Sequence, residues 1–380
     1  MLTESNNQGM SVALCTYNGA EYIIAQLKSI TIQSLVPSEI VVCDDASTDR
    51  TVELVRQYAE KSACPIRLYE NKSKLGVQAN FDQAIGLCRQ PYIALSDQDD
   101  LWKPQKLERL KQAITKAEDH YGIDTPILVY SDLEVIDDQN KPISQSYMKQ
   151  RKLNNLSGIT FVTPSTGSLL SSRSSKRKEP YLCFGEEQAN FRGGEDKKDT
   201  AKGKHKCLAG LLAQNYITGS TILINKYLAN NVLPMPEGIV MHDWWVALVA
   251  AATGEIIYVD EQLVKYRQHH TNLIGANSFF SAANIWRMLN VKEFEKHVAA
   301  VVRQEAILKK HLEELLSKNS IKPPVTLDNV LTMLGDHLNA LGQGRMKAVR
   351  GSFYWKVGMQ GFTRNIFYRT LLYKSGYLGY

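Results

Sequence analysis

Carboxylates crowd the stretch YIALSDQDDLWKPQKL (residues 92–107), in which Asp97, Asp99 and Asp100 follow an apolar run. Residues i and i+2 of an extended segment point to the same side, so Asp97 and Asp99 are expected to share one face. Two carboxylates on one face can bind a hard divalent cation, which would offset their repulsion and take phosphate oxygens as further ligands. A solvated acidic turn before a helix is the alternative. We expect Asp100 to cap that helix and Gln98 to point away and tolerate change.

Polar residues also follow two earlier apolar segments. Thr16, Tyr17 and Asn18 end the first of them, SVALCTYN, and Asp44 and Asp45 follow EIVVC. One of the two aspartates could accept hydrogen bonds from a nucleobase or a ribose, while the other serves the turn into a helix. The Ser-Thr pair that comes next is able to cap that helix alone, which leaves at least one carboxylate for a ligand.

Two later pairs of residues could act as a base or as metal ligands. His242 and Asp243 precede the apolar run WWVALVAAA, so Asp243 is either a helix cap or a general base. A base must come within about 3 Å of the proton that it takes, and the spacing alone favours neither role. His269 and His270 follow VKYRQ, and one of them could bind a metal ion, although an isolated histidine is more often structural.

Strand-like and helix-like segments alternate through the first part of the chain, which predicts an α/β fold with a mostly parallel sheet flanked by helices. Ligands of such sheets bind beyond the carboxyl ends of the strands, which is where the polar groups described above are expected. The predicted strands are 11–17, 39–45, 65–70, 91–97 and 126–137, and the predicted helices are 20–33, 47–60, 77–88 and 104–118. From about residue 276 onward the apolar spacing is helical.

Composition places the chain among globular proteins. Its 380 residues are 44% hydrophobic and 22% charged, and the net charge of +6 is too weak to argue for nucleic acid. The six cysteines form no CxxC pair and are expected to be buried free thiols in a reducing compartment. The first residues do not resemble a signal peptide, and no apolar run approaches the ~18–20 residues of a transmembrane helix. A cytoplasmic location is therefore expected.

Neither GxxxxGK[ST] nor GxGxxG occurs, so no nucleotide site of those two kinds is predicted.

Two regions depart from the alternating pattern. Residues 165–207 are rich in Ser, Gly, Lys and Glu and are predicted to form a mobile insertion. Cys183, His205 and Cys207 lie there without the spacing of a zinc site. The stretch 344–380 interleaves basic and aromatic residues and has no acidic residue, which favours an anionic membrane surface as partner. Nucleic acid, or packing of a basic helix on the body, are the alternatives.

Seven motifs occur in an order that resembles the family 2 glycosyltransferases with a GT-A fold, and most of all their bacterial rhamnosyltransferase-like branch. They are SVALCTYNGAEYI, IVVCDDASTDRTVELV, NKSKLGVQANF, ALSDQDDLWKPQKL, NYITGSTILIN, HDWWVAL and YRQHHTN. The resemblance covers about residues 9–275 and implies a glycosyltransferase domain over 1–275, followed by a helical basic and aromatic region, 276–380. It places a nucleotide-binding half at about 9–135 and an acceptor half at about 136–275. The 165–207 insertion departs from the family pattern directly before the expected acceptor strand.

The resemblance implies a role for each motif residue. The residues that it assigns to nucleotide binding are Thr16, Tyr17, Asn18, Asp45, Asn80 and Asp97. It implies Asp99 and His269 as ligands of a Mg²⁺ or Mn²⁺ ion that bridges the diphosphate, and Asp243 as the general base. The residues that it places on the acceptor side are Thr218, Gly219, His242 and Trp244. His270 stands where a small residue is usual, so the choice between the two histidines stays open.

An inverting transferase of this kind would move a sugar from a nucleotide donor to a lipid-linked or polysaccharide acceptor of the cell surface. The expected donor is dTDP-L-rhamnose, with a UDP-hexose as the alternative. The expected location is the inner face of the cell membrane, with peripheral attachment, no nucleic acid partner and C-terminal helices that could pair two chains. Two other functions stay open: a catalytically silent module that binds nucleotide sugars or polysaccharides, and a metal-dependent phosphohydrolase.

Overall fold

The computed structural model describes residues 9–151, 160–162, 169–171, 207–269, 291–318, 330–332 and 334–336. Within them one mixed sheet has eleven strands. The strands are β1 (Met10–Thr16), β2 (Glu39–Asp44), β3 (Ile66–Glu70), β4 (Tyr92–Asp97), β5 (Leu101–Trp102), β6 (Ile127–Ile136), β7 (Pro142–Ser144), β8 (Thr160–Val162), β9 (Leu169–Ser171), β10 (Ile222–Asn225) and β11 (Glu255–Arg267). The helices are α1 (Ile23–Thr31), α2 (Thr51–Ala59), α3 (Val77–Leu87), α4 (Lys106–Tyr121), α5 (Tyr147–Gln150), α6 (207–213), α7 (Lys226–Val232), α8 (His242–Thr253) and α9 (Val291–Ser317). Most of the 165–207 insertion, His270 and the 344–380 stretch lie outside the described residues.

The strand order along the sheet is β3-β2-β1-β4-β10-β6-β11-β8-β9, with β5 paired to β11 and β7 to β6. Strands β3, β2, β1 and β4 are mutually parallel, and β10 is antiparallel to both of its neighbours. Strand β6 therefore runs in the same direction as β4, and β11 and β8 continue that direction. The predicted α/β fold, with a mostly parallel sheet flanked by helices, is confirmed.

Apolar side chains cover both faces of the sheet. Alternate residues of β1 point to opposite sides, so Val12 and Leu14 join one apolar cluster and Ala13 and Cys15 join the other. The first cluster is closed by α1, α2 and α4. The second is closed by α3, α6, α7, α8 and α9. The long helix α9, which belongs to the region predicted as 276–380, therefore packs in the same core as the sheet.

Two helices begin later than the sequence indicates. Helix α2 begins at Thr51 instead of residue 47, and the residue before it makes no side-chain cap. Helix α4 begins at Lys106, two residues after Pro104, and its N-cap residue, Gln105, also makes no side-chain cap. In both cases the polar side chains that precede the helix bind other loops, so local capping patterns misplace the helix start.

The expectation that Asp100 caps α4 is wrong. Asp100 is buried, and its Oδ1 accepts the backbone N–H of Arg267 at the end of β11, with a distance of 3.1 Å. The two-residue strand β5, which the sequence analysis did not predict, pairs with β11 directly after this contact. Residues 97–100, hereafter the acidic stretch, are therefore tied to β11 and not to the helix that follows them.

Five of the six cysteines lie in the described residues, and all five are buried free thiols, as expected. Burial raises the pKa of the Cys43 and Cys88 thiols to about 12, so neither is a reactive thiolate at neutral pH. Within the described part of the chain, no helix has the length and apolarity needed to cross a membrane.

Candidate active site

The carboxyl ends of the central strands bring several predicted site residues to one edge of the sheet. In the register of these strands, Thr16 lies opposite Asp44, and Cys15 lies opposite Asp97. Because parallel strands end on the same side, the three polar strand ends predicted from the sequence come together.

Two later elements return to the same edge. Strand β11 runs parallel to β6, so its last residue, Arg267, lies at the carboxyl ends of the strands. Helix α8 leads into β11 through the single residue Gly254, which brings its first turn, with Asp243, back to this edge. Asp243 is close enough to Asp97 for its charge to contribute to the raised pKa of Asp97.

The loop after β1 is fixed by the loop after β2. Thr16 donates its hydroxyl to Asp44 Oδ1 at 2.7 Å, and Ser47 donates to the same oxygen at 2.6 Å. The Asn18 backbone donates to Ser47 Oγ, and Asn18 Oδ1 accepts the backbone N–H of Thr48. These contacts hold Asn18 at a φ of 47°, in the left-handed region that asparagine tolerates. Ser47 and Thr48 are used between loops, which explains why they do not cap α2.

Asp45 is surrounded by donors from the loop that precedes α3. Its carboxylate accepts the backbone N–H groups of Leu75 (2.6 Å) and Gly76 (2.9 Å), and the side-chain amide of Asn71 (3.2 Å). Asn71 also donates to Asn80 Oδ1, and Asn80 donates its own amide to the backbone of β2. Asp45 and Asn80 are both buried, so the structure shows them shaping the NKSKLGV loop around this side of the edge.

Tyr17 is the exposed member of the predicted nucleotide-binding set, with 38% of its surface accessible. Gln98 holds its backbone on both sides: Gln98 Oε1 accepts the Tyr17 N–H at 2.8 Å, and Gln98 Nε2 donates to the Tyr17 carbonyl at 3.0 Å. The Lys74 ammonium lies 3.5 Å from the centre of the Tyr17 ring. Gln98 was expected to point away, but it links the acidic stretch to the loop after β1.

The acidic stretch is partly buried, and its surroundings shift the pKa values of its aspartates in opposite directions. Burial and the charges of Asp100 and Asp99 raise the pKa of Asp97 well above its usual range. Burial and Asp99 also raise the pKa of Asp100 to about 7. The buried Lys106 opposes both shifts, and its Nζ lies 3.1 Å from the centre of the Trp102 ring, with no hydrogen-bond partner among the described residues. A lysine is seldom fully buried without a charge partner, and here the carboxylates supply one.

Asp99 and His269 form the pair that could hold a metal ion. Asp99 Oδ2 and His269 Nε2 are 2.8 Å apart, and both side chains are mostly buried. No group of three or more His, Cys, Asp or Glu ligands occurs among the described residues. One carboxylate and one imidazole nevertheless fit a Mg²⁺ or Mn²⁺ ion whose remaining ligands are substrate phosphates and water, which is the usual arrangement for these ions.

Asp243 is held rigidly at the start of α8. Its Oδ1 accepts the amide of Asn215 at 3.1 Å and the backbone N–H of Trp244 at 2.6 Å. Its Oδ2 accepts the N–H of Gly219 at 3.1 Å. Burial raises the pKa of Asp243 to about 6, and the donors oppose that rise because they favour the ionised form. A fixed carboxylate that is ionised near neutral pH can act as a general base.

The remaining residues predicted on the acceptor side surround Asp243 in different ways. Thr218 precedes a turn of 3-10 helix at Gly219–Thr221, and its carbonyl accepts from Thr221. His242 is buried and stacks on Phe81 at 3.7 Å, and neither of its ring nitrogens has a hydrogen-bond partner in the described part of the chain. Burial lowers the pKa of His242 to about 3, so its imidazole is neutral. Trp244 is buried, and its indole N–H donates to the Leu211 carbonyl.

Several residues of this edge were missed in the sequence analysis. They are Tyr22, Lys106, Asn215, Tyr266 and Arg267. Each lies within a motif quoted there. Each acts through burial or through a contact with an element at least 28 residues away in sequence, and motif spacing reveals neither. For Lys106, the signal was available in part, because it follows three clustered carboxylates by only a few residues.

Comparison with known proteins shows which family this region resembles. Residues 11–176 match the family model described as glycosyl transferase family 2. The dTDP-rhamnosyl transferase RfbG of Shigella flexneri is 26% identical over 275 residues, which are 71% of this chain and 76% of that protein. An uncharacterized glycosyltransferase of Nostoc sp. is 31% identical over 147 residues, which are 38% of this chain. The chain spans only 42% of the length of that Nostoc protein and 45% of a Bacillus subtilis relative, EpsE.

Among solved structures, TarS of S. aureus (residues 1–349), in complex with UDP-GlcNAc, is similar with a TM-score of 0.48 and 16% identity. The alignment covers 97% of this chain and 91% of that one. The likeness in sequence rests on the family model and on the relatives. Residues 11–176 are therefore similar to a family 2 glycosyltransferase domain.

Proposed function

We propose that this protein is an inverting glycosyltransferase that moves a sugar from a nucleotide donor to a hydroxyl group of an acceptor. The observation that carries the proposal is Asp243, a buried carboxylate fixed by three donors and placed across the sheet edge from the acidic stretch. Asp243 takes the proton of the acceptor hydroxyl, whose oxygen then forms a bond to the anomeric carbon. The bond from that carbon to the diphosphate breaks, and the nucleoside diphosphate leaves with the electron pair, which inverts the anomeric centre.

The proposed metal ligands are Asp99 and His269, with Mg²⁺ or Mn²⁺ as the ion. Such an ion would neutralise the charge that develops on the departing diphosphate. The residues around it act on the donor in other ways. Tyr17 offers an exposed ring for the nucleobase, while Thr16, Asn18, Asp45 and Asn80 hold the surrounding loops in place.

The proposed acceptor side is formed by Thr218, Gly219, His242 and Trp244. The neutral His242 ring has one donor and one acceptor nitrogen, both unused within the described residues, beside the Gly219 turn. Trp244 supports α8 through its bond to Leu211 and does not expose its ring. Asp97, whose pKa is raised by burial and by the charges of both Asp99 and Asp243, is proposed to face the ribose or the metal ion of the bound donor.

For the donor we propose dTDP-L-rhamnose, because a relative that aligns over 71% of this chain is named as a dTDP-rhamnosyl transferase. A UDP-hexose is the alternative. The proposed acceptor is a lipid-linked sugar or a cell-surface polysaccharide. The basic and aromatic 344–380 stretch, which lies outside the described residues, is proposed to attach the protein to the inner face of the membrane.

A direct assay tests the function. Purified protein is incubated with Mn²⁺, a panel of acceptors and either dTDP-L-rhamnose or a UDP-hexose, and release of nucleoside diphosphate and the anomeric form of the product are measured. Asp243→Asn keeps the shape of the side chain but removes the base, so transfer is expected to fall by about 100- to 10,000-fold. Asp99→Asn is expected to lower transfer at limiting Mn²⁺.

The control is Asp124→Asn, which changes an exposed carboxylate at the opposite edge of the sheet and should leave turnover unchanged. Wild-type turnover by Asp243→Asn would remove the base assignment, and full activity in excess chelator would remove the metal ion. Donor binding without transfer to any acceptor would support the silent binding module instead.

A further inference from the structure

Four side chains from three distant segments form one stacked group at the edge of the proposed metal site. Tyr22 lies directly before α1, Asp99 follows β4, and Arg267 and His269 stand at the end of β11. The Tyr22 ring stacks on the His269 imidazole, with centroids 5.0 Å apart and an angle of 22° between the planes. The Arg267 guanidinium lies 4.9 Å from the centre of the Tyr22 ring.

Both partners of Tyr22 hold the acidic stretch. His269 Nε2 is 2.8 Å from Asp99 Oδ2, so the imidazole fixes the carboxylate end of Asp99. Arg267 Nε donates to the Asp99 carbonyl at 2.9 Å, and the Arg267 backbone N–H donates to Asp100 Oδ1. The second arm of the guanidinium donates to the carbonyls of Asp137 and Asp138, which anchors it to the turn after β6. Hydrogen bonds therefore hold Asp99 at both its side chain and its backbone.

Tyr22 is itself tied to the loop after β1. Its N–H donates to the Gly19 carbonyl at 3.0 Å, and its carbonyl accepts the N–H groups of Ala25 and Gln26 at the start of α1. These hydrogen bonds fix the backbone of Tyr22, which directly follows the loop that carries Tyr17. A residue in this position can transmit the placement of the β1 loop to the metal ligands without contacting the ion.

We propose that Tyr22 is a positioning residue for the metal site: its ring orients the His269 imidazole and the Arg267 guanidinium, and through them the carboxylate of Asp99. This inference rests on the proposed function, because it takes Asp99 and His269 to be the metal ligands. A stacked ring pair and a cation over a ring each contribute a moderate stabilisation, and together they correspond to about a tenfold change in an equilibrium constant. Loss of the ring should therefore weaken Mn²⁺ binding without unfolding the protein.

The experiment measures the dissociation constant of Mn²⁺ alone, by electron paramagnetic resonance of the free ion, for the full chain without donor or acceptor. Tyr22→Ala is expected to raise that constant about tenfold, and Tyr22→Phe, which keeps the ring, should stay within about twofold of wild type. Tyr22→Leu keeps the apolar bulk but not the ring. It is expected to behave like Tyr22→Ala, and it replaces that variant if the smaller side chain prevents folding.

The matched control is Tyr69→Ala, which removes another ring that lies beside an arginine, Arg67 on β3, away from Asp99. Tyr69→Ala should leave Mn²⁺ affinity unchanged. Wild-type affinity in both Tyr22→Ala and Tyr22→Leu would overturn the inference, as would an equal loss in Tyr22→Phe. Absence of Mn²⁺ binding by the wild type would remove the metal site together with this inference. Selective loss of Mn²⁺ affinity in a protein that transfers no sugar would overturn only the proposed function.

Discussion

Asp243 is buried and yet receives three hydrogen bonds, and these two facts act on its acidity in opposite directions. Burial raises its pKa to about 6, and each donor lowers it by favouring the ionised form. As the proposed base, Asp243 works only when it is ionised. Below about pH 6 the ionised fraction of Asp243 falls about tenfold for each pH unit, so kcat/KM is expected to fall by about tenfold per unit there and to level off above.

Asn215 provides a check on that assignment. Its amide donates to Asp243 Oδ1, so Asn215→Ala removes one donor that favours the ionised carboxylate. The midpoint of the pH dependence of kcat/KM is therefore expected to move upward. The pH profile of Asn231→Ala, a change at the C-terminal end of α7, serves as the comparison. A midpoint that stays in place in Asn215→Ala would mean that the pH profile reports another group.

A second prediction at the level of single residues concerns Gln98. Its amide bonds both the N–H and the carbonyl of Tyr17, whose ring is exposed at the proposed nucleobase position. Gln98→Ala frees the loop after β1, so the KM for the donor is expected to rise about tenfold, which corresponds to the loss of about one to two hydrogen bonds. Gln57→Ala on the exposed side of α2 should leave KM unchanged in the same assay. An unaltered donor KM in Gln98→Ala would show that this link does not position the loop.

The contrast between Asp99 and Gln98 shows what residue types can and cannot predict. Three clustered carboxylates repel one another, so the sequence indicates a cation near them, and the structure places the buried Lys106 near two of them. Gln98 is uncharged, so its residue type does not indicate a partner. Its role depends on Tyr17 in the loop after β1, which is 81 positions away. Asp100 was misassigned for the same reason, since its partner is the backbone of Arg267.

At the level of elements, the place where α8 meets β11 leaves no room for a side chain. A Cβ on Gly254 would lie 1.8 Å from the Pro126 carbonyl oxygen, and that oxygen accepts the first N–H of β11, from Glu255. Gly254→Ala would force β11 away from the start of β6, and overpacking against backbone typically costs about 1–3 kcal/mol. We expect the urea midpoint to fall accordingly.

Gly86 in α3 is the matched glycine for this test, because a Cβ there would have only the Leu233 side chain nearby, at 3.9 Å. Gly86→Ala should raise stability by about 0.5–1 kcal/mol, since alanine loses less backbone entropy in a helix than glycine. Equal urea midpoints for Gly254→Ala and wild type would show that the α8–β11 turn adapts without cost.

The elements themselves were largely predictable, because apolar periodicity depends on nearby residues. All five predicted strands and the first four predicted helices are present, with shifted ends. What periodicity cannot give is the partner of each strand. The antiparallel insertion of β10 between β4 and β6 brings Gly219 to Asp243, and it follows from pairings across about 100 residues of chain.

On the scale of the whole molecule, α9 joins the C-terminal region to the apolar core of the sheet. Leu308 and Leu312 are fully buried in the same apolar cluster as Trp245 of α8. Gln304 accepts the Val240 N–H at 2.8 Å, directly before the turn that carries Asp243. The region after residue 275 therefore contributes to the body that holds the site, at least as far as α9 extends.

Leu312→Ala tests this connection. Truncation of a buried leucine costs about 2–5 kcal/mol, and because the cluster is shared, the loss is expected to lower the unfolding temperature of the whole protein in a single calorimetric transition. Lys310→Ala on the exposed side of α9 breaks only a surface ion pair with Glu314 and should change stability by less than about 0.5 kcal/mol. A separate low-temperature transition in Leu312→Ala, with the main transition unchanged, would instead mean that α9 unfolds independently of the sheet.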